Sequence, residues 1–214
     1  MSSAQRIHII AGATASGKSS RAMELAVQEK GVILNADATQ LYAELRILSA
    51  RPSAQDEATV PHRMYGILRG DEVASVGNWL RRMVGEVQAV WSEGKLPLVC
   101  GGTGMYIKAL KEGLSPIPAI DPAYRQQATR RIEQEGNASL YAELQRHDPA
   151  FATRTDEENT QRIIRAYEVW LATGKTLSDW FNEPRNHPFA SAEITQEVVS
   201  LPREEIYARI NQRV

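Results

Sequence analysis

The segment Gly12-Ala13-Thr14-Ala15-Ser16-Gly17-Lys18-Ser19 constrains this chain more than any other stretch. It satisfies G-x-x-x-x-G-K-[ST] at every required position. The apolar run Ile7-His8-Ile9-Ile10-Ala11 precedes it and reads as a buried strand. After it, Ala22, Leu25, Ala26 and Glu29 recur at helical spacing until Gly31. A loop in that context aims consecutive backbone N–H groups and a helix N-terminus at one anion, and Lys18 adds a full positive charge. Ser19 is placed to offer its hydroxyl to a Mg²⁺ ion held by the same phosphates. The motif therefore predicts a bound polyphosphate and leaves its identity open. ATP and GTP are common guests, but any diphosphate would satisfy the same donors.

The next elements extend a βαβ pattern. Val32-Ile33-Leu34 reads as a second buried strand, closing on Asn35-Ala36-Asp37. Residues 49–75 read as irregular, with Pro52, Pro61, Gly66 and Gly70. Val76, Trp79, Leu80, Met83, Val84, Val87, Val90 and Trp91 then form the strongest amphipathic helix, stopped by Gly94. Leu96-Pro97-Leu98-Val99-Cys100 reads as another buried strand emptying into Gly101-Gly102-Thr103-Gly104, with a helix from Met105 to Leu110. Strands alternating with helices predict an α/β fold with a parallel sheet flanked by helices. From Asp121 to about Pro188 the pattern is helical only. There Ile163, Ile164, Tyr167, Trp170 and Leu171 form one apolar stripe, with Arg162 and Arg165 on the other side. This stretch reads as an all-helical insertion. Val198-Val199-Ser200-Leu201 predicts a returning strand, and Pro202 opens a last helix. The expected division is 1–113 for the first part of the core, 114–192 for the insertion and 193–214 for the return.

Composition narrows the class without naming a partner. At 214 residues, 43% hydrophobic and 24% charged, the chain is an ordinary globular sequence of one domain or one domain with an insertion. No apolar stretch approaches 18 residues, and the N-terminus has no secretory core, so a membrane span and export are not expected. The single cysteine, Cys100, fits a reducing cytoplasm. The net charge of −1 neither requires nor forbids a nucleic-acid partner. Even surface composition makes a monomer the expectation.

Two further features fall on the ligand edge of the sheet, outside the carboxyl ends of its strands. Asp37 follows a strand expected to neighbour the loop-bearing one, where a carboxylate can take a proton from an incoming nucleophile; an Asp bonded to its own turn is the plainer reading. Gly101-Gly102-Thr103-Gly104 allows close backbone approach and offers the Thr103 hydroxyl as a donor. No acidic residue follows the strand ending at Cys100, where many P-loop NTPases keep a Mg²⁺-organising Asp, and this counts against ordinary nucleotide hydrolysis.

Taken with Asn35-Ala36-Asp37-Ala38-Thr39-Gln40-Leu41-Tyr42, Val60-Pro61-His62, Gly101-Gly102-Thr103-Gly104-Met105-Tyr106, Gly113-Leu114-Ser115-Pro116, Asp148-Pro149, Gln161 to Val169 and Thr173-Gly174-Lys175, the glycine loop resembles the tRNA dimethylallyltransferases (isopentenyltransferases). The resemblance implies a P-loop NTPase-like core with a helical insertion that grips the anticodon stem-loop. It also implies transfer of a dimethylallyl group from dimethylallyl diphosphate to N6 of the adenosine 3′ of the anticodon in tRNA. Carried over by motif, Asp37 takes the N6 proton and Thr103 hydrogen-bonds the oxygen bridging the allyl group and diphosphate. Gly12, Ala13, Thr14, Ala15, Ser16, Gly17, Lys18 and Ser19, with Arg154 and Arg203, would contact the diphosphate, and Mg²⁺ would lie at Ser19. Asp37, Gln40, Leu41, Gln161, Arg162, Arg165 and Arg209 would contact tRNA. The insertion between Asp121 and Lys175 carries 8 basic and 9 acidic residues, so discrete contacts from Arg130, Arg131, Arg162 and Arg165 are expected rather than a basic face.

The chain departs from the family pattern in two places. Thr155-Asp156-Glu157-Glu158-Asn159-Thr160 stands where His-Pro-Asn-Asp is usual, and Ala43 to Ala50 lacks the usual Gly-Thr and acidic residues. Ile206, Tyr207, Ile210 and Val214 are the apolar face of a helix still in progress at the last residue, so a C-terminally truncated member with reduced or no activity is expected. Three rival readings accompany the main one. They are a P-loop kinase of a small metabolite or nucleotide, an isopentenyltransferase acting on free adenine nucleotides, and an inactive tRNA-binding remnant.

Overall fold

The computed structural model describes residues 5–213; Met1 to Ala4 and Val214, which entered the readings of both termini, lie outside them. The chain opens with β1 (Arg6–Gly12), α1 (Lys18–Glu29) and β2 (Val32–Asn35). Two short 3-10 turns, Thr39–Leu41 and Ala43–Leu45, lead to α2 (Ala54–Thr59), β3 (His62–Arg63), α3 (Val76–Ser92), β4 (Pro97–Gly101) and α4 (Gly104–Glu112). The helices α5 (Pro122–Glu135), α6 (Asn137–His147), α7 (Pro149–Ala152), α8 (Thr160–Thr173) and α9 (Leu177–Asn182) follow. β5 (Glu193–Val199) and α10 (Arg203–Arg213) end the described chain. The residues divide into two compact units, 1–113 with 187–214, and Leu114–Asn186. Residues 187–192, read from sequence as part of the insertion, therefore belong to the core, where Phe189 is 2% exposed and meets Trp91 edge-on.

All five core strands are parallel, in the order β3-β2-β4-β1-β5. The central strands β1, β2 and β4 are covered on both faces, which is why they are near-continuous apolar runs. Ile10, Ile33, Leu98 and Cys100 pack with Ala22 and Ala26 of α1. Their neighbours Ile9, Leu34 and Val99, also fully buried, point to the opposite face. α3 covers that face with Trp79, Leu80, Met83, Val87 and Val90. Each large side chain so buried contributes about 1.5–3 kcal/mol relative to exposure.

The sequence places β2 beside β1, but β4 lies between them. The α1 crossover skips one strand position, and the later β4 fills it. The consequence is functional: the loops after β2, β4 and β1 stand side by side at one sheet edge. β5 also differs, beginning at Glu193 rather than Val198 and ending at Val199. It is an edge strand of the described sheet, so Thr195, Gln196 and Glu197 are tolerated in it, and the apolar criterion found only its end. The stretch read as irregular contains α2, fixed by a capping box between Ser53 and Asp56, and the two-residue β3. No helix among the described residues is long and apolar enough to cross a membrane.

The second unit is helical throughout, as its patterning predicts. Ile163, Ile164 and Tyr167 of α8 pack against Ala128, Leu140, Leu144 and Phe151, with Trp170 and Leu171 at the margin. Its helix starts, except that of α6 at Gly136, are capped by side chains. Asp121 accepts from the Ala123 amide before Pro122, Asn159 accepts from the Arg162 amide, and Thr176 forms a capping box with Asp179. Asn159 belongs to the segment that departs from the family pattern, so the altered sequence still supplies a helix cap.

Candidate active site

The glycine loop leaves β1 at Gly12 and enters α1 at Lys18. Gly17 takes φ 94°, a left-handed conformation that glycine adopts without steric cost. Ala15 takes φ 62°, which an alanine tolerates only when its surroundings enforce it. The loop closes through the Ser16 amide, which donates to the Ala13 carbonyl at 3.2 Å. Lys18 Nζ donates to the same carbonyl at 3.1 Å and so is folded over the loop. The Ser16 hydroxyl is buried and has no partner among the described residues. Ser19 is exposed in the first turn of α1.

The two loops after β2 and β4 meet the glycine loop closely. A Cβ at Gly101 would stand 2.2 Å from the Ala36 carbonyl, so only glycine lets β4 end against the chain leaving β2. A Cβ at Gly102 would stand 3.1 Å from the Gly12 carbonyl oxygen, 3.9 Å from Asp37 Oδ2 and 4.0 Å from Lys18 Nζ. One point at the sheet edge is thus shared by all three features read from the sequence. The Thr103 amide donates to the Ala36 carbonyl at 3.1 Å, and Thr103 Oγ1 accepts from the Ala38 amide at 2.9 Å.

Asp37 is held by residues that carry no assigned role in the sequence analysis. The side chain of Asn35, fully buried, accepts from the Asp37 amide at 2.8 Å and donates to the Asp37 carbonyl at 3.0 Å and the Met64 carbonyl at 3.2 Å. Behind it, Trp79 Nε1 donates to the Asn35 carbonyl at 3.0 Å, and the Trp79 ring stacks on Tyr106 at 4.4 Å. The only sequence signal for this support was a polar residue at the end of an apolar strand. Burial pushes the Tyr106 hydroxyl above its usual range, with Tyr42 and Asp37 adding to the shift. Cys100 borders the same region, and burial pushes its thiol up to about 12 against the smaller opposing effect of Lys18. It is a packed thiol at neutral pH and no nucleophile.

The remaining sequence-predicted residues fall in three groups. Arg209 Nη1 lies 4.0 Å from the Cβ position of Gly17, so this arginine, read as a tRNA contact, reaches the glycine loop; it also pairs with Glu205 at 2.7 Å. Arg203 instead turns its guanidinium to the Tyr207 hydroxyl, at 2.9 and 2.8 Å. Gln40 donates to the carbonyls of Ser49 and Ala50, and Leu41 is buried. Both therefore build the loop after β2.

In the helical unit, Arg154 donates to the Ala150 carbonyl and to Ser178 Oγ. Arg165 pairs with the buried Glu168 at 2.6 Å, and Arg131 pairs with Glu135 and Glu143. Arg130 makes one long bond to the Gln126 carbonyl, while Gln161 and Arg162 are exposed. Of the four arginines expected as discrete contacts, two are engaged in ion pairs within their own unit.

Comparison with known proteins places the chain in a family. The IPP transferase family model matches residues 40–214. A tRNA dimethylallyltransferase of Rhodospirillum rubrum is 47% identical over 91% of this chain and 60% of its own length. One from Azorhizobium caulinodans is 43% identical over 96% of this chain and 66% of its own length. The chain thus spans somewhat less than two thirds of these relatives. Among solved structures, a eukaryotic dimethylallyltransferase acting on tRNA matches with a TM-score of 0.80 at 23% identity, over 98% of this chain and 52% of its own. The tRNA isopentenylpyrophosphate transferase of Bacillus halodurans matches with a TM-score of 0.58 at 27% identity, over 98% of this chain and 64% of its own.

Proposed function

We propose, because this chain belongs to the IPP transferase family, that it transfers a dimethylallyl group from dimethylallyl diphosphate to N6 of the adenosine 3′ of the anticodon in tRNA. The observation that carries the reading is the convergence of Asp37 Oδ2 and Lys18 Nζ, 3.9 and 4.0 Å from one point above Gly102. A donor with a cationic anchor and a nucleophile with a proton acceptor need that juxtaposition.

In this reading the loop amides other than that of Ser16, which closes the loop onto Ala13, hold the diphosphate together with Lys18, and Arg209 closes over it. The allylic C–O bond breaks as negative charge grows on the leaving diphosphate and positive charge on carbon. A unit charge held near 4 Å contributes about 4 kcal/mol at an effective dielectric of 20, before desolvation is counted. Groups already in place along the glycine loop therefore lower the barrier most. The Thr103 hydroxyl donates to the bridging oxygen. N6 of adenosine attacks the allyl carbon, and Asp37 Oδ2 accepts the proton that N6 releases.

Mg²⁺ fits the site only together with the diphosphate. No group of three His, Cys, Asp or Glu among the described residues could hold a metal, while Ser19 presents an exposed hydroxyl beside Lys18. Ser19 and diphosphate oxygens would be its ligands, and the ion would neutralise leaving-group charge. On the RNA side we assign backbone contacts to Arg162, Gln161 and Arg130, which are exposed in the helical unit.

The test combines the protein, Mg²⁺, labelled dimethylallyl diphosphate and unmodified tRNA. Label is expected in RNA. Lys18→Ala should lose donor binding, whereas Asp37→Ala should keep it and lose about 10²–10⁴-fold in transfer. Donor binding without any transfer to RNA, together with hydrolysis of ATP in the same loop, would overturn the reading.

A further inference from the structure

The Asp37 carboxylate is not symmetric in its surroundings. Oδ1 receives two hydrogen bonds from one residue, the Thr39 hydroxyl at 2.7 Å and the Thr39 amide at 3.0 Å. Oδ2 receives none among the described residues and is the oxygen that lies 3.9 Å from the Cβ position of Gly102. The backbone of Asp37 is fixed separately, by the Asn35 side chain on both its amide and its carbonyl. What Asn35 leaves undetermined is rotation of the carboxylate about its last bond, a broad two-fold torsion with little intrinsic preference. Thr39 supplies that missing restraint.

Resting on the reading of Asp37 as proton acceptor, we propose that Thr39 is a positioning residue which occupies Oδ1 and thereby presents Oδ2 to the incoming amine. The amide alone would hold the carboxylate as an ordinary Asx turn does. The hydroxyl is the added element: its proton can follow Oδ1, its side chain is exposed, and it makes no other hydrogen bond among the described residues. The strand end is held independently by Asn35, Trp79 and Tyr106. A residue with this geometry affects how often the base points correctly rather than how tightly substrates bind, and orientation of this kind acts on turnover.

The test compares Thr39→Val, which keeps shape and amide but removes the hydroxyl, with Thr39→Ser, which restores it. Thr39→Val is expected to lower kcat about tenfold with KM for both substrates and the melting temperature unmoved, and Thr39→Ser to recover most of the loss. Asp37→Ala is measured alongside. If Asp37→Ala abolishes transfer while Thr39→Val equals the wild type, the role of Asp37 stands and that of Thr39 falls. If Asp37→Ala transfers at the wild-type rate, both fall. Crystal structures of wild type and Thr39→Val give a readout independent of turnover. A carboxylate rotated or split between two conformers in the variant supports the proposal, and one unmoved overturns it.

Discussion

Thr103 Oγ1 accepts the Ala38 amide at 2.9 Å, so the loop after β4 is bonded to the loop after β2 one residue past Asp37. Because the oxygen is the acceptor, the hydroxyl proton remains available to a ligand. A single hydroxyl thus links the two loops and, in the proposed reaction, would also donate to the leaving group. Thr103→Val removes both functions and should lower single-turnover transfer about 10²–10³-fold, the usual cost of losing one donor to developing negative charge. Thr103→Ser keeps both and should retain most of the rate. Equal rates for Val and Ser would show that the donated proton plays no part.

Arg209 and Arg203 lie on the same helix, yet only Arg209 reaches the glycine loop. Titration calorimetry with dimethylallyl diphosphate should separate them. Arg209→Ala is expected to weaken binding about three- to tenfold, which is about 1 kcal/mol and small because the side chain is half-exposed and screened. Arg203→Ala should bind as the wild type does, since its guanidinium is spent on Tyr207. The reverse ranking would place the closing arginine one face away on α10.

The glycine loop was fully legible in the sequence because its mechanism demands fixed residues at fixed spacing: Gly12, Gly17, Lys18 and Ser19 leave little freedom. The α8 stripe was legible for the same reason, its 3–4 periodicity surviving intact into the core of the helical unit. Asn35 and Thr39 were not legible. Their roles depend on where a carbonyl or a carboxylate oxygen sits two residues away, and a residue type does not carry that geometry. The position of β4 between β1 and β2 also eluded the sequence, since periodicity identifies strands but not their order. Arg131 and Arg165 show the same limit from the other side: helical spacing turned them outward, and only the fold revealed the carboxylates waiting for them.

Glu135 offers a test of that engaged set. Arg131 grips its carboxylate with two hydrogen bonds, at 2.8 and 2.9 Å, and Ser139 adds a third at 2.6 Å. These hold the Glu135 carboxyl down to about 2, from an ordinary 4.5, with Arg131 the larger cause. A carboxylate lowered in the folded state stabilises it fully above the ordinary value and loses that contribution as pH falls from about 4.5 towards 2. The difference in unfolding free energy between wild type and Glu135→Gln should therefore be constant above about pH 5 and shrink to nothing near pH 2. High salt should shrink it as well, because the pair is exposed. A difference that persists unchanged at pH 2 would remove the ion pair as its source.

Arg165 and Arg162 make the sharpest contrast in the helical unit. Glu168 is 3% exposed, and its two oxygens are bonded to Arg165 at 2.6 Å and Arg125 at 3.4 Å. Arg165→Ala leaves a buried carboxylate with the more distant partner only, an arrangement that costs about 1–3 kcal/mol. Thermal unfolding of Arg165→Ala should therefore shift down by several degrees, of the order of 2–4 °C per kcal/mol for a chain of 214 residues. Arg162 is exposed and has no side-chain partner among the described residues, so Arg162→Ala should melt with the wild type. Filter binding of tRNA should rank the two oppositely: Arg162→Ala weakens binding in a folded protein and reduces its salt dependence by about one counterion. Arg165→Ala should bind normally at temperatures where it is folded. An Arg165→Ala protein of undiminished stability that loses tRNA would return this arginine to the RNA interface and leave Glu168 held by Arg125 alone.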